Sequence, residues 1–156
     1  KLIYKYESVN KIPAKLKIEI NTTEHFQVLP LKTVPFSMDS AWFKGTADII
    51  TYEMDELMAT KLRALYQRRK GRDLFDIWYV TTKELINLNR VFDIFHQYCT
   101  YNDVKITGEE FLKNLELKKD HRDFHMDMSV LLPSKLHWNF EESYQFVVNN
   151  VISRLP

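Results

Sequence analysis

The apolar residues of this chain change their spacing once, near Met54, and that change limits the folds open to it. Before Met54 they recur every second residue, as on a half-buried strand. In KLIYKYE, Leu2, Tyr4 and Tyr6 lie on one side, and Lys1, Ile3 and Lys5 on the other. In AKLKIEIN, Leu16, Ile18 and Ile20 share one face, and Lys15, Lys17 and Glu19 the other. SVNKIP between them reads as a turn. HFQVLPLKTVPF is extended but broken by Pro30 and Pro35, which suit edge strands. TADIITY adds a further strand after Gly45.

From Met54 onward the spacing is helical. Leu57, Met58, Leu62, Leu65 and Tyr66 recur at three and four residues within EMDELMATKLRALYQRRK. Gly71 sits where a glycine after a helix end belongs, and RDLFDIWYVTTKEL restarts a helix. NLNRVFDIFHQYC is a third helix and TGEEFLKNLELKK a fourth, with Thr107 as its N-cap. Residues 121–132 predict a fifth. NFEESYQFVVNNVISRL is the last, capped by Asn139, with Pro133 in the loop before it. The class is therefore α+β: a small mixed sheet over residues 1–53, then a helical, bundle-like region over 54–156.

With 156 residues, 45% of them hydrophobic, the chain can bury the core of one domain. A formal net charge of +1 removes any global electrostatic case for nucleic acid or membrane, so a basic site must be local. The single cysteine, Cys99, permits no disulfide within the chain, which fits a reducing, cytoplasmic setting. No apolar run reaches membrane-spanning length, and no signal peptide is visible. The chain opens on KLIYKYES, directly in a strand and without Met, so a piece of something longer is expected.

Chemistry concentrates in KLRALYQRRKGRDLFDIW. Lys61 shares a helix face with Leu57, Ala64, Leu65 and Arg68, at the edge of the apolar stripe. A lysine there covers apolar surface with its stem, or meets a phosphate as a point charge with Arg68 forking around a second oxygen. Arg68, Arg69 and Lys70 also suit a helix C-terminus, Asp73 an N-cap, and Asp76 the first turn of the next helix. Adjacent Arg72 and Asp73 at a tight corner equally suit an ion-pair network that orients a lysine or supplies a base. Glu19 is either a surface residue paired with Lys15 or Lys17, or a metal ligand held rigidly by its strand. His121 and His125 stand four apart, as do Asp123 and Asp127. Without a third ligand or an HExxH pattern, these read as packing or surface residues. No P-loop, GxGxxG, GxSxG or CxxC occurs, and the aromatic residues fall at core periods.

Taken together, KLKIEINTTEHF and DELMATKLRALYQRRKGRDLFDIW resemble the AbiEii-type nucleotidyltransferase toxins, within the superfamily that has a DNA polymerase β-like core. The resemblance is close from about Ala14 to Tyr79 and looser in the later helices. It implies that Glu19 is the strand carboxylate following the family's first two metal-binding acids. It further implies that Lys61 meets the nucleotide, and that Arg72, Asp73 and Asp76 form the RDxxD motif lining the same cleft. One of those aspartates is then needed for activity, with Asp73 slightly ahead and the two not separated. The implied chemistry is Mg²⁺-dependent transfer of NMP from an NTP to an acceptor such as tRNA or protein, restrained by a cognate antitoxin. Thr23 stands where relatives often carry arginine. No Gly-Ser motif and no acid pair precede Glu19, so residues 1–53 correspond to the later strands of the core and the chain is expected to be inactive alone. The rival readings are a non-catalytic helical domain that binds nucleic acid through RRKGR, or one that binds another protein.

Overall fold

The computed structural model describes residues 1–20, 22, 25–128, 131–132, 136 and 138–156. Thr23 and Pro133 lie outside these.

The α+β class holds. The first third forms β1 (Leu2–Glu7), β2 (Pro13–Ile18), β3 (Lys32–Asp39) and β4 (Lys44–Thr51). These make two antiparallel ladders, β1 with β2 and β3 with β4, in place of the one small mixed sheet expected. Short turns join each pair, and a short turn can only return the chain antiparallel beside itself. In such a ladder every strand is an edge, so Pro35 sits inside β3, opposite Asp48, without leaving a central bond unmade.

The cross-strand pairs Leu2–Ile18, Tyr4–Leu16 and Tyr6–Ala14 place apolar residues together, as the period of two requires. That face is open: Leu16, Ile18 and Ile20 are all exposed.

The rest is helical: α1 (Met54–Gln67), α2 (Gly71–Thr82), α3 (Leu88–Tyr101), α4 (Gly108–Lys119), α5 (Arg122–Met126) and α6 (Phe140–Asn150), ending in a 3₁₀ turn (Ile152–Arg154). Helix α1 packs on α3 and α2, and α2 also packs on α6. Leu62, Leu65, Leu74, Ile77, Phe95, Tyr98, Phe111, Leu115 and Val147 fill the core. Each such side chain stabilises the fold by roughly 1.5–3 kcal/mol through burial. The caps predicted at Thr107 and Asn139 hold: Thr107 and Glu110 form a reciprocal capping box, and Asn139 accepts from the Glu142 N–H.

Gly71 has a different role from the one expected. Helix α1 ends at Arg68 in extended backbone, and Gly71 is the first residue of α2. Its φ is not positive. Glycine is required by space, because a Cβ here would run into the Phe124 carbonyl oxygen. The start of α2 at Gly71 also moves the two aspartates. Asp73 is inside the first turn rather than at the cap, which Lys70 occupies without a side-chain bond. Asp76 falls in the second turn.

Candidate functional site

The chain between α1 and α2 is so short that the end of one helix faces the start of the other. Lys61 projects from α1, and Arg68, seven residues on, from the cap at its end. Asp73 and Asp76 project from α2 toward them. Arg68 grips Asp73 with two hydrogen bonds, Nε to Oδ2 at 2.7 Å and Nη2 to Oδ1 at 2.8 Å. Lys61 Nζ lies 2.7 Å from Asp76 Oδ2 and 3.5 Å from Asp73 Oδ1. Four of the residues singled out in the sequence thus form one network, Arg68–Asp73–Lys61–Asp76.

Burial distinguishes the two aspartates, which the sequence does not separate. The Asp73 side chain is fully buried, whereas Asp76 is 35% exposed and Lys61 25% exposed. Both oxygens of Asp73 are held within the network. Asp76 commits one oxygen to Lys61 and still reaches solvent. The hydrogen-bonded Asp73 carboxylate raises the pKa of Arg68 further, so this guanidinium stays charged.

Arg72 turns away from Lys61. Its backbone N–H donates to Asp127 Oδ2 at 3.2 Å, and its Nε lies 3.2 Å from the same oxygen. Lys70 Nζ is 3.7 Å from the other oxygen of Asp127. The sequence carries Asp127 only as part of a His/Asp spacing, and the fold makes it the acceptor for this second half of the corner. The two histidines of that spacing are engaged apart: the His121 ring accepts from Arg69, and His125 contacts the Lys119 carbonyl and lies over Phe140.

Glu19 lies just past the end of β2, and its carboxylate pairs with Lys17 at 2.6 Å. Magnesium needs several oxygen ligands, with carboxylates among them. Among the described residues no group of three or more His, Cys, Asp or Glu side chains is placed to hold a metal ion. The residues present do not by themselves fit Mg²⁺; Glu19 could supply one carboxylate.

Two buried charges escaped the sequence reading. Glu56, with no exposed surface, accepts from the N–H groups of Val28 and Leu29 and from the Tyr98 hydroxyl. Lys118 donates to the carbonyls of Leu65 and Tyr66, both at 2.6 Å, and so satisfies the last turn of α1. Each occupies an apolar stripe, Glu56 with Ala59 and Leu62, Lys118 with Phe111 and Leu115. A charge on such a stripe is the signal that could have found them.

Burial pushes the Lys118 ammonium down to about 8, and nearby Arg69 adds to the shift. The unfolded chain therefore binds more protons than the folded one between about pH 8 and pH 10.4, the ordinary lysine value. Stability is expected to rise with pH across that window, by about 3 kcal/mol if it is traversed completely. Tyr144, pushed up to about 12 by burial, opposes this above pH 10, where the unfolded tyrosine ionises first. Urea unfolding at pH 7, 8.5 and 9.5 checks the slope, and Lys118→Met is expected to flatten it.

Among the described residues no helix is long and apolar enough to cross a membrane. No match was found among curated proteins or among solved structures. A sequence model of the family described as nucleotidyl transferase AbiEii toxin, type IV TA system, matches residues 1–146. That match spans nearly the whole chain and includes every residue of the network above, so the chain belongs to the AbiEii family of nucleotidyl transferase toxins.

Proposed function

We propose that the α1–α2 corner is the nucleotide-facing wall of a transfer site, with Lys61 and Asp76 as the groups that meet substrate. The observation that carries this reading is the ordering of the network by burial. An ammonium has three N–H donors. Asp76 and Asp73 pair with the Lys61 ammonium, which at 25% exposure can still turn a donor to a phosphate oxygen of an NTP. Arg68 and buried Asp73 hold Lys61 in place from behind. In the transfer, an acceptor hydroxyl attacks the α-phosphorus, a new P–O bond forms, and the bond to pyrophosphate breaks. Asp76 keeps an accessible oxygen that can take the proton of that hydroxyl. Arg72, tied to Asp127, shapes the corner rather than touching the nucleotide.

Membership of a toxin–antitoxin family implies an antitoxin partner. The reading adds an acceptor such as tRNA or protein, and action in the cytoplasm. The rival, in which RRKGR contacts nucleic-acid phosphates, is disfavoured by pairing within the fold. Arg68 is held by Asp73, Arg69 by His121, and Lys70 and Arg72 by Asp127.

Metal-dependent transfer needs a cluster of acids that is absent among the described residues, so the 156 residues alone are expected to bind NTP at the corner and transfer nothing. Incubation with Mg²⁺ and α-labelled NTPs tests the second part, and robust incorporation into any acceptor would sink it. Photolabelling with an azido-NTP tests the first. Labelled peptides should come from α1 and α2; labelling elsewhere, or none, removes the corner as the nucleotide site.

A further inference from the structure

Helix α2 begins without a cap of its own. The first N–H groups of a helix have no partner within it, and an Asp, Asn, Ser or Thr side chain just before the helix commonly accepts from the second or third of them. Lys70 holds the N-cap position of α2, and its side chain accepts nothing. The oxygen in that role comes from Asp127, 55 residues beyond Arg72. Its Oδ2 accepts from the Arg72 N–H, the second of the helix, at 3.2 Å. The same carboxylate lies 3.2 Å from Arg72 Nε and 3.7 Å from Lys70 Nζ. Gly71 lets the two elements come this close. Its missing side chain leaves room for the Phe124 carbonyl, and a Cβ here would also stand 3.6 Å from Asp127 Cβ.

The end of α1 is completed from the same segment. Lys118 donates to the Leu65 and Tyr66 carbonyls, which lie in the last turn, where a helix has no N–H left to offer them. Between the two, the His121 ring accepts from Arg69 at 3.0 Å. The stretch from Lys118 to Asp127 therefore puts a cation at the C-terminal end of α1 and an anion at the N-terminal end of α2, the sign that each helix dipole favours. Within the corner itself, α2 is tied to α1 by Arg68 on Asp73 and by Lys61 on Asp76 and Asp73. Arg68 is half-exposed and lies past the last turn of α1. An attachment of that kind leaves the start of α2 free to rock about it, and a second attachment fixes its direction. Asp76 is one turn beyond Arg72, about 6 Å along the axis, so that direction decides how its carboxylate meets Lys61.

We propose that Asp127 is a positioning residue: it caps α2 from outside that helix and so sets Asp76 against Lys61. The bearing on nucleotide binding rests on the reading of the corner above; the cap does not. Asparagine keeps an acceptor and caps helices as well as aspartate does, whereas alanine offers none. Asp127→Asn therefore keeps the cap and gives up the charge facing Arg72 and Lys70, and Asp127→Ala gives up both.

The test uses the 156-residue chain at a temperature where circular dichroism shows the parent and both variants fully folded. Amide exchange followed by NMR is expected to speed up at Arg72 by about tenfold or more in Asp127→Ala, and by less than about threefold in Asp127→Asn. A water-soluble carbodiimide joins an amine to a carboxylate in contact with it, and mass spectrometry measures the Lys61–Asp76 cross-link. Its yield should fall to about half or less in Asp127→Ala and return in Asp127→Asn. Parental exchange or parental cross-linking in Asp127→Ala overturns the proposal. So does an Asp127→Asn that behaves as Asp127→Ala, because the charge facing Arg72 and Lys70, rather than the cap, would then hold the corner. Titration with each of the four NTPs should show binding about three- to tenfold weaker in Asp127→Ala and near parental in Asp127→Asn. Weaker cross-linking with unchanged affinity overturns the bearing of the cap on the nucleotide. A parent that binds none of the four NTPs defeats the reading of the Lys61 corner instead, and exchange and cross-linking then decide the cap.

Discussion

Asp73→Asn is expected to lower the unfolding free energy by about 2–4 kcal/mol, while Asp76→Asn changes it by less than about 1 kcal/mol. Both substitutions remove one carboxylate from the same network, so the difference comes from burial. Asp73 has no exposed side-chain surface and receives two bonds from Arg68. An asparagine there keeps one acceptor and presents an amide donor to a guanidinium that has only donors. The damage is limited by Arg68, which is 52% exposed and can turn to water. Asp76 is partly exposed, and its pair with Lys61 exchanges readily with solvent. Urea unfolding followed by far-UV circular dichroism gives both values. Equal losses for the two variants would mean that burial does not divide their roles. The functional outcome should run the other way. Asp76→Asn in the toxin expressed from its own gene should abolish toxicity with the fold intact, whereas any loss in Asp73→Asn should track the loss of folded protein.

Lys61→Met should weaken NTP binding by about 10- to 100-fold, the effect of losing one charge-assisted bond to phosphate. The long apolar stem is preserved, so packing beside Leu57 and Leu65 is kept. Asp73 retains its two bonds from Arg68, and Asp76 turns to solvent, so stability should change little. Lys61→Arg should not restore full affinity, because a planar fork does not reproduce a compact ammonium between two carboxylates. Titration of NTP into the parent and both variants measures this. An affinity unchanged in Lys61→Met would mean that the ammonium serves Asp76 alone and does not meet the triphosphate.

Much of this protein was legible because the relevant physics is local. Alternation of apolar residues set the strands, recurrence at three and four set the helices, and Thr107 and Asn139 marked helix starts by their own side-chain bonds. Spacing also put Lys61 seven residues before Arg68, and the two aspartates three apart. The same local signals misplaced Gly71, because a glycine that follows basic residues looks like a helix end. Its true cause, the Phe124 carbonyl, lies far along the chain.

What only the tertiary structure decided was which faces meet. Asp73 and Asp76 carry the same group at neighbouring positions; the direction from which α1 approaches buries one and leaves the other open. Arg72 was drawn to Asp127, a residue on no nearby helix turn. Glu56 and Lys118 are charges on apolar stripes, and each is stable only because distant backbone groups supply its bonds. Period and capping depend on neighbours within a few residues, and those the sequence by itself determined. The partner of a buried charge depends on how separate elements pack, and no spacing within one element encodes it.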